Sequence, residues 1–350
     1  MKKYTFYILL ILSASILMFY KLSPLNEIDK KNGFVRKLVS PRISITHEVL
    51  LPDESFDFIG RIDSGVLLTS YLNKRFLFKV NYALNKLDTV DFNYHAGFNT
   101  STNIYSDSKQ SDIYVSNPFG DISVSNGNKK MLFKLTGLRI DNFQAISSKT
   151  VIARARHYYG QELNRSFAKL SLSSKVKIDK EYLLPEEVNG FFTNDGWLVY
   201  DRSRSVLIYS YYYRGEFLCL DTNLNLLYKA KTIDTVRIAN IKIGMINSKA
   251  KNGQVLKEIT PVTPPKFVSR YVTTDGNNVY VLSALKSDNE NKSSFLKNQL
   301  IDVYDISNGT YRYSFYIPKY RGVKLHQFQI KNNILIALFG AYLVSYNFSD

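Results

Sequence analysis

From residue 43 onward, apolar and polar positions alternate in short bursts. Six apolar runs each follow a turn of small or polar residues: Val66-Leu67-Leu68, Ile113-Tyr114-Val115, Val151-Ile152-Ala153, Trp197-Leu198-Val199, Val279-Tyr280-Val281 and Ile334-Leu335-Ile336. The turns are Asp63-Ser64-Gly65, Lys109-Gln110-Ser111, Ser147-Ser148-Lys149, Asn194-Asp195-Gly196, Thr274-Asp275-Gly276 and Lys331-Asn332-Asn333. Short apolar runs bounded by such turns predict antiparallel hairpins. Further strands follow, for example Phe217-Leu218-Cys219-Leu220 and Leu300-Ile301-Asp302-Val303-Tyr304. Second polar turns such as Asn126-Gly127-Asn128 and Ser307-Asn308-Gly309 come next, then closing strands such as Tyr313-Ser314-Phe315-Tyr316-Ile317. No stretch of this region sustains a helical apolar period.

Four antiparallel strands repeated six times predict an all-β fold, a six-bladed β-propeller over residues 43–350. Its 308 residues divide into units of about 51, slightly longer than a common blade. Seven blades are the arithmetic rival, but only six markers occur. The last unit supplies three strands, His326–Ile330, Ile334–Phe339 and Tyr342–Phe348, whereas Ile43–Leu51 is a strand without a unit. It is expected to complete the last blade and so remove an open edge. Unit four carries two apolar runs, Trp197–Tyr200 and Val206–Tyr213, and its register is left open.

In such a blade the loops alternate between two faces. The first-to-second and third-to-fourth turns are short and share one face. The second-to-third loops and the links between blades share the other, and they are longer and chemically richer. Binding groups usually sit on longer loops held by a rigid scaffold. The candidate binding residues therefore come from this second set: Arg75, Arg154, Arg156, His157, Tyr158, Tyr211, Tyr213, Arg214, Glu216, Asn289 and Glu290. Arginines beside aromatics are suited to stacking and to bidentate pairing with anions.

Ahead of this region, Lys2 and Lys3 precede an uncharged run from Tyr4 to Tyr20, closed by Lys21. The run reaches the lower limit for crossing a bilayer and exceeds a signal-peptide core. It favours an uncleaved signal anchor, a transmembrane helix over 1–21, over a cleaved signal. With the short N-terminal tail inside, the body lies in the periplasm or outside the cell, anchored by a single pass in the cytoplasmic membrane. Residues 22–42 read as a linker, and basic residues there are expected to lie near anionic headgroups.

Composition narrows the chemistry. The chain has 350 residues and a net charge of +16, with 26 Tyr, 22 Phe and 17 Gly. Residues 129–180 carry 12 basic and 3 acidic side chains, and residues 229–270 carry 9 and 2. The single Cys219 excludes an intramolecular disulfide and a Cys-rich metal site, and in its apolar strand it reads as a buried thiol. Four scattered His, with no Gly-rich phosphate loop and no nucleophile elbow, give no catalytic residue, no metal site and no cofactor. Charge alone would suit nucleic acid, but the membrane anchor argues against it.

The runs Asn194-Asp-Gly-Trp-Leu-Val-Tyr-Asp, Tyr211-Tyr-Tyr-Arg-Gly-Glu-Phe, Asp221-Thr-Asn-Leu-Asn-Leu-Leu-Tyr and Ile301-Asp-Val-Tyr-Asp-Ile-Ser-Asn-Gly-Thr-Tyr resemble uncharacterised bacterial envelope proteins that look like TolB-like six-bladed propellers. The resemblance covers about 190–350, and the first half in rhythm only. It implies an exported propeller and supplies no activity. Relatives of this kind are often lipoproteins; this chain lacks the required Cys and would use its helix. The expectation is a non-enzymatic, membrane-anchored module binding an envelope protein, a peptide or an anionic ligand through its loop-rich face. The alternative is a hydrolase or lactonase-type propeller with a central metal or acid–base site.

Overall fold

The computed structural model describes residues 11–13, 15, 31–62, 65–72, 76–91, 95–98, 105–109, 112–126, 129–157, 165–185, 190–249 and 255–349. Six four-stranded antiparallel sheets follow one another along the chain, and a separate two-stranded ribbon stands between the fourth and fifth. The inner strands are Phe56–Ile62, Tyr105–Lys109, Leu138–Ser147, Gly196–Asp201, Ser269–Thr274 and Gln327–Lys331. Each touches the next, and the last touches the first, in a closed cycle.

The cores follow from the alternation of strand side chains to opposite sheet faces. One apolar cluster fills each of the six gaps between neighbouring blades. Ile59 and Leu67 meet Phe98 and Val115 between blades one and two. Phe143 and Val151 pack on Tyr114 and Val124 between two and three. Ile152 and Phe167 pack on Leu207 and Tyr209 between three and four. Ile208 and Phe217 meet Val272 and Tyr304 between four and five. Tyr280 and Leu282 meet Phe328 and Leu335 between five and six, and Phe56 and Val66 meet Ile336 and Leu343 between one and six. Six clusters for six gaps leave no room for a seventh blade.

The strand Arg42–Leu50 pairs antiparallel with Tyr342–Ser349, from Arg42 opposite Ser349 to Leu50 opposite Tyr342, and is the outermost strand of blade six. Unit four resolves differently from the other units. Trp197-Leu198-Val199 lies in the inner strand, and Val206–Tyr211 is the second strand. The turn Asn194-Asp195-Gly196 is consequently a link between blades and lies on the loop-rich face, a correction to its expected place on the short-turn face. The hydrophobic pattern misled here because the inner strand of blade four is as apolar as a second strand.

The anchor helix expected over 1–21 falls outside the described residues except at 11–13 and 15, which are helical. Among the described residues no helix is long and apolar enough to cross a membrane. Residues 31–40, at the end of the segment read as a linker, run against blade five. Leu38 bridges Ser314 in parallel, and Arg36 is buried between Glu290 and Asp302 at 2.8 and 2.7 Å. Arg36 is therefore unavailable to a lipid headgroup.

Candidate binding face and central channel

The inner strands surround a channel of about 970 Å³ along the ring's axis. Its wall includes Asp57, Asp107, Asp141, Gln144, Trp197, Tyr200, Tyr271, Gln329 and Lys331, one or more from every blade. Its lining runs from Tyr71 and Tyr212 on the loop-rich face to Ser203 and Asn332 on the short-turn face. Polar side chains make up much of this wall, although alternate positions of the same inner strands pack into the two neighbouring gaps.

Register shifts interrupt three inner strands, at Ile59, at Asp141 and Ile146, and at Arg270. A bulge bends a strand and re-aims a side chain. The one at Asp141 turns its carboxylate toward two arginines. Arg154 Nε donates to Asp141 at 2.5 Å, and Arg154 Nη1 donates to Asp195 at 2.5 Å, to the Gly196 carbonyl at 2.6 Å and to the Tyr209 hydroxyl at 3.1 Å. Arg165 also pairs with Asp141 and stands 3.8 Å from Asp195. Two arginines and two aspartates thus form a neutral network joining blades three and four at the channel wall. Burial opposes the charge on Asp141, but Arg154 and Arg165 overcome it and hold the carboxyl below its usual range. Burial pushes the Tyr209 hydroxyl up to about 12, so it stays protonated as a donor to the Asn194 carbonyl at 2.6 Å.

Five of the other predicted binding residues make contacts within the scaffold. Tyr211 is wholly buried, and the Arg214 guanidinium lies 3.5 Å from its ring centre. Arg214 is itself buried and donates to the Thr193 carbonyl at 2.9 Å and the Asn194 side chain at 3.0 Å. Glu216 pairs with Lys229 at 2.8 Å. Gly215 closes this loop: a Cβ there would lie 2.3 Å from Asp234 Oδ1, so a larger residue would have to displace the Asp234 and Thr232 side chains. Glu290 accepts from Arg36 and from Ser287, and Asn289 Nδ2 donates to the Arg36 carbonyl at 2.9 Å. Both hold residues 32–36 in place.

Three predicted residues remain near the open face. Tyr213 packs on Phe267 at 5.2 Å, beside Tyr212 at the channel mouth. His157 is exposed and contacts Glu181 at 3.0 Å, and Arg156 is half-buried opposite Arg139. His157, Arg156 and Glu181 stand off the channel. Arg75 and Tyr158 lie outside the described residues. Among the described residues no group of three or more His, Cys, Asp or Glu is placed to hold a metal ion. Cys219 is buried, and burial pushes its thiol up to about 11, an inert state. The sequence reading missed Asp141, Arg165, Tyr71 and Tyr212. Only Tyr212 carried a signal, as the middle residue of Tyr211–Tyr213.

No known protein family and no curated protein matches the chain. Among solved structures it is similar to a DUF4221 family member from Bacteroides vulgatus, 11% identical with a TM-score of 0.55, over 91% of this chain and 99% of that one. It is also similar to BamB from Moraxella catarrhalis, 11% identical with a TM-score of 0.43, over 88% of this chain and 100% of that one. At that identity the first likeness speaks for the fold, and with the six sheets and six clusters it makes the protein an all-β, six-bladed propeller.

Proposed function

We propose that this propeller is a binding module that takes a polypeptide segment at the mouth of its central channel, on the loop-rich face. In this proposal the segment 1–21 anchors it in the cytoplasmic membrane with the body outside, as the uncharged run from Tyr4 to Tyr20 behind Lys2 and Lys3 suggests. The observation that carries the binding reading is the channel itself. It is wide, open to the loop-rich face, and lined by both donors and acceptors beside the aromatic ring of Tyr212 and the exposed Tyr71. A peptide offers alternating amide donors and acceptors and apolar side chains, which match that wall. A simple anion is a poorer match, because Arg154 and Arg165 are already neutralised by Asp141 and Asp195.

A photo-crosslinking residue in place of Tyr71 should yield a discrete adduct in cells, and the same residue in place of Asn308 on the opposite face should not. Equal adducts from both positions would remove this face from consideration.

A further inference from the structure

The geometry points to the ribbon between blades four and five as a contact for an anionic lipid surface. This inference rests on the anchoring proposed above and adds an orientation to it. Among the described residues Ile243–Lys249 pairs only with Val255–Pro261, with Met245 opposite Ile259, and no third strand joins them. The ladder continues one step, with Val262 N donating to the Lys242 carbonyl at 2.9 Å. A lone two-stranded ribbon is marginal in water and presents open edges. This one also exposes large apolar side chains at its root: Ile238 is 77% exposed, Met245 63%, Ile246 55%, Ile259 40% and Val262 63%. Scattered apolar residues on a surface need no account, but this concentration on one short segment does.

Charge and tether name the occupant. Between residues 237 and 266 the sequence carries six Lys or Arg against one acid, Glu258. Lys249 and Lys257 stand at even spacing from Met245 and Ile259 along the two strands. Apolar side chains flanked by lysines suit the headgroup boundary of an anionic bilayer. The N-terminal segment arrives at the same place. The Asn32 carbonyl accepts from Thr235 Oγ1 at 2.6 Å, three residues before Ile238. The uncharged run ends at Tyr20, so eleven residues separate it from Asn32, a reach of at most about 40 Å. A membrane holding residues 4–20 is therefore within reach of the ribbon's root.

The test uses the full chain with Met245→Cys carrying an environment-sensitive fluorophore; the buried Cys219 does not compete for label. Vesicles of phosphatidylcholine, alone or with about 30 mol% phosphatidylglycerol, carry a headgroup nitroxide quencher. Flotation reports the anchor, and quenching reports the ribbon. The chain should float with both vesicles, and quenching should be about threefold or more stronger in the anionic ones. A label at Asn308→Cys should stay unquenched. Replacing Lys242, Lys249 and Lys257 by Gln should reduce quenching severalfold and leave flotation intact. Flotation with no quenching at residue 245 overturns the ribbon inference and leaves the anchor standing. No flotation with either vesicle overturns both. A disulfide between two copies of Met245→Cys without vesicles, together with absent quenching, reassigns the ribbon to self-pairing.

Discussion

Arg36 satisfies two carboxylates, Glu290 and Asp302, with all three side chains shielded from water. Burial works against its charge, but the two acids raise its proton affinity above the ordinary value. Removing one member of such a group leaves the others buried and unpaired, at a cost of about 3–5 kcal/mol. Arg36→Ala should lower the urea midpoint accordingly, and the triple variant Arg36→Met, Glu290→Gln, Asp302→Asn should recover much of the loss. Asp141 makes the pH prediction. Its folded carboxyl sits below the usual range, so its contribution is complete above the unfolded value of about 4 and is lost as pH falls through the lower folded value. Urea unfolding between pH 5 and pH 2.5 should show a weaker acid loss in Asp141→Asn than in the parent. Asp305 is held down to about 2 by hydrogen bonds from Ser307 and Arg312, so a carboxyl titration should find its midpoint there and see it rise in Arg312→Gln. The pairings of Arg36 and Asp141 were not legible in the sequence. Arg36 and Glu290 lie 254 residues apart, and a charged residue beside aromatics looks the same whether it faces a ligand or, like Arg214, a core tyrosine.

Strands were the most readable level. Period-two apolar runs and Gly, Asn and Asp turns located five of the six second strands, and the unpaired run Ile43–Leu51 identified the closing strand, because a missing outer strand leaves an edge that must be covered. Unit four failed because its inner strand, carrying Trp197, is apolar enough to imitate the second. The bulge that aims Asp141 left no sequence mark, since a bulge is a relation between two strands and not a property of one. Two predictions belong to elements. Gly309 has φ +73°, and a Cβ there would lie 2.3 Å from the Ala230 side chain of blade four. Gly309→Ala should destabilise by more than about 1 kcal/mol, read from thermal unfolding, through both backbone strain and that clash. Deleting residues 1–50 should leave the strand Tyr342–Ser349 as an open edge and give an aggregating protein. A synthetic peptide of residues 31–50, which carries both Arg36 and the closing strand, added during refolding should restore monomers on size exclusion.

For the molecule as a whole, ring closure turns six modest interfaces into one cooperative object, because each blade needs both neighbours to bury its two faces. Trp197, the single tryptophan, lines the channel and packs 5.0 Å from Tyr271 of the next blade. Its emission should change in one transition coincident with the loss of β-sheet circular dichroism. A segment entering the channel should shield it from acrylamide, and unchanged quenching on binding would place the ligand elsewhere. The loop-rich face was foreseen as a surface, but its chemistry was not. Arg154 and Arg214, two of the arginines expected to grip a ligand, make contacts that brace the scaffold, and many channel residues come from inner strands whose polar positions look unremarkable one at a time.

The pairing of Arg42–Leu50 with Tyr342–Ser349 also governs how the protein is made. Thr46 donates to the carbonyl of Ser345, 299 residues further on. At ordinary ribosomal speeds that is a wait of roughly 15–60 s. Throughout it the nascent chain carries a strand whose only mate has not been synthesised. The propeller is thus completed after translation of its final strand and never before. A chaperone that shields residues 42–50 in the interval would decide how much of the product matures and how much is lost to aggregates.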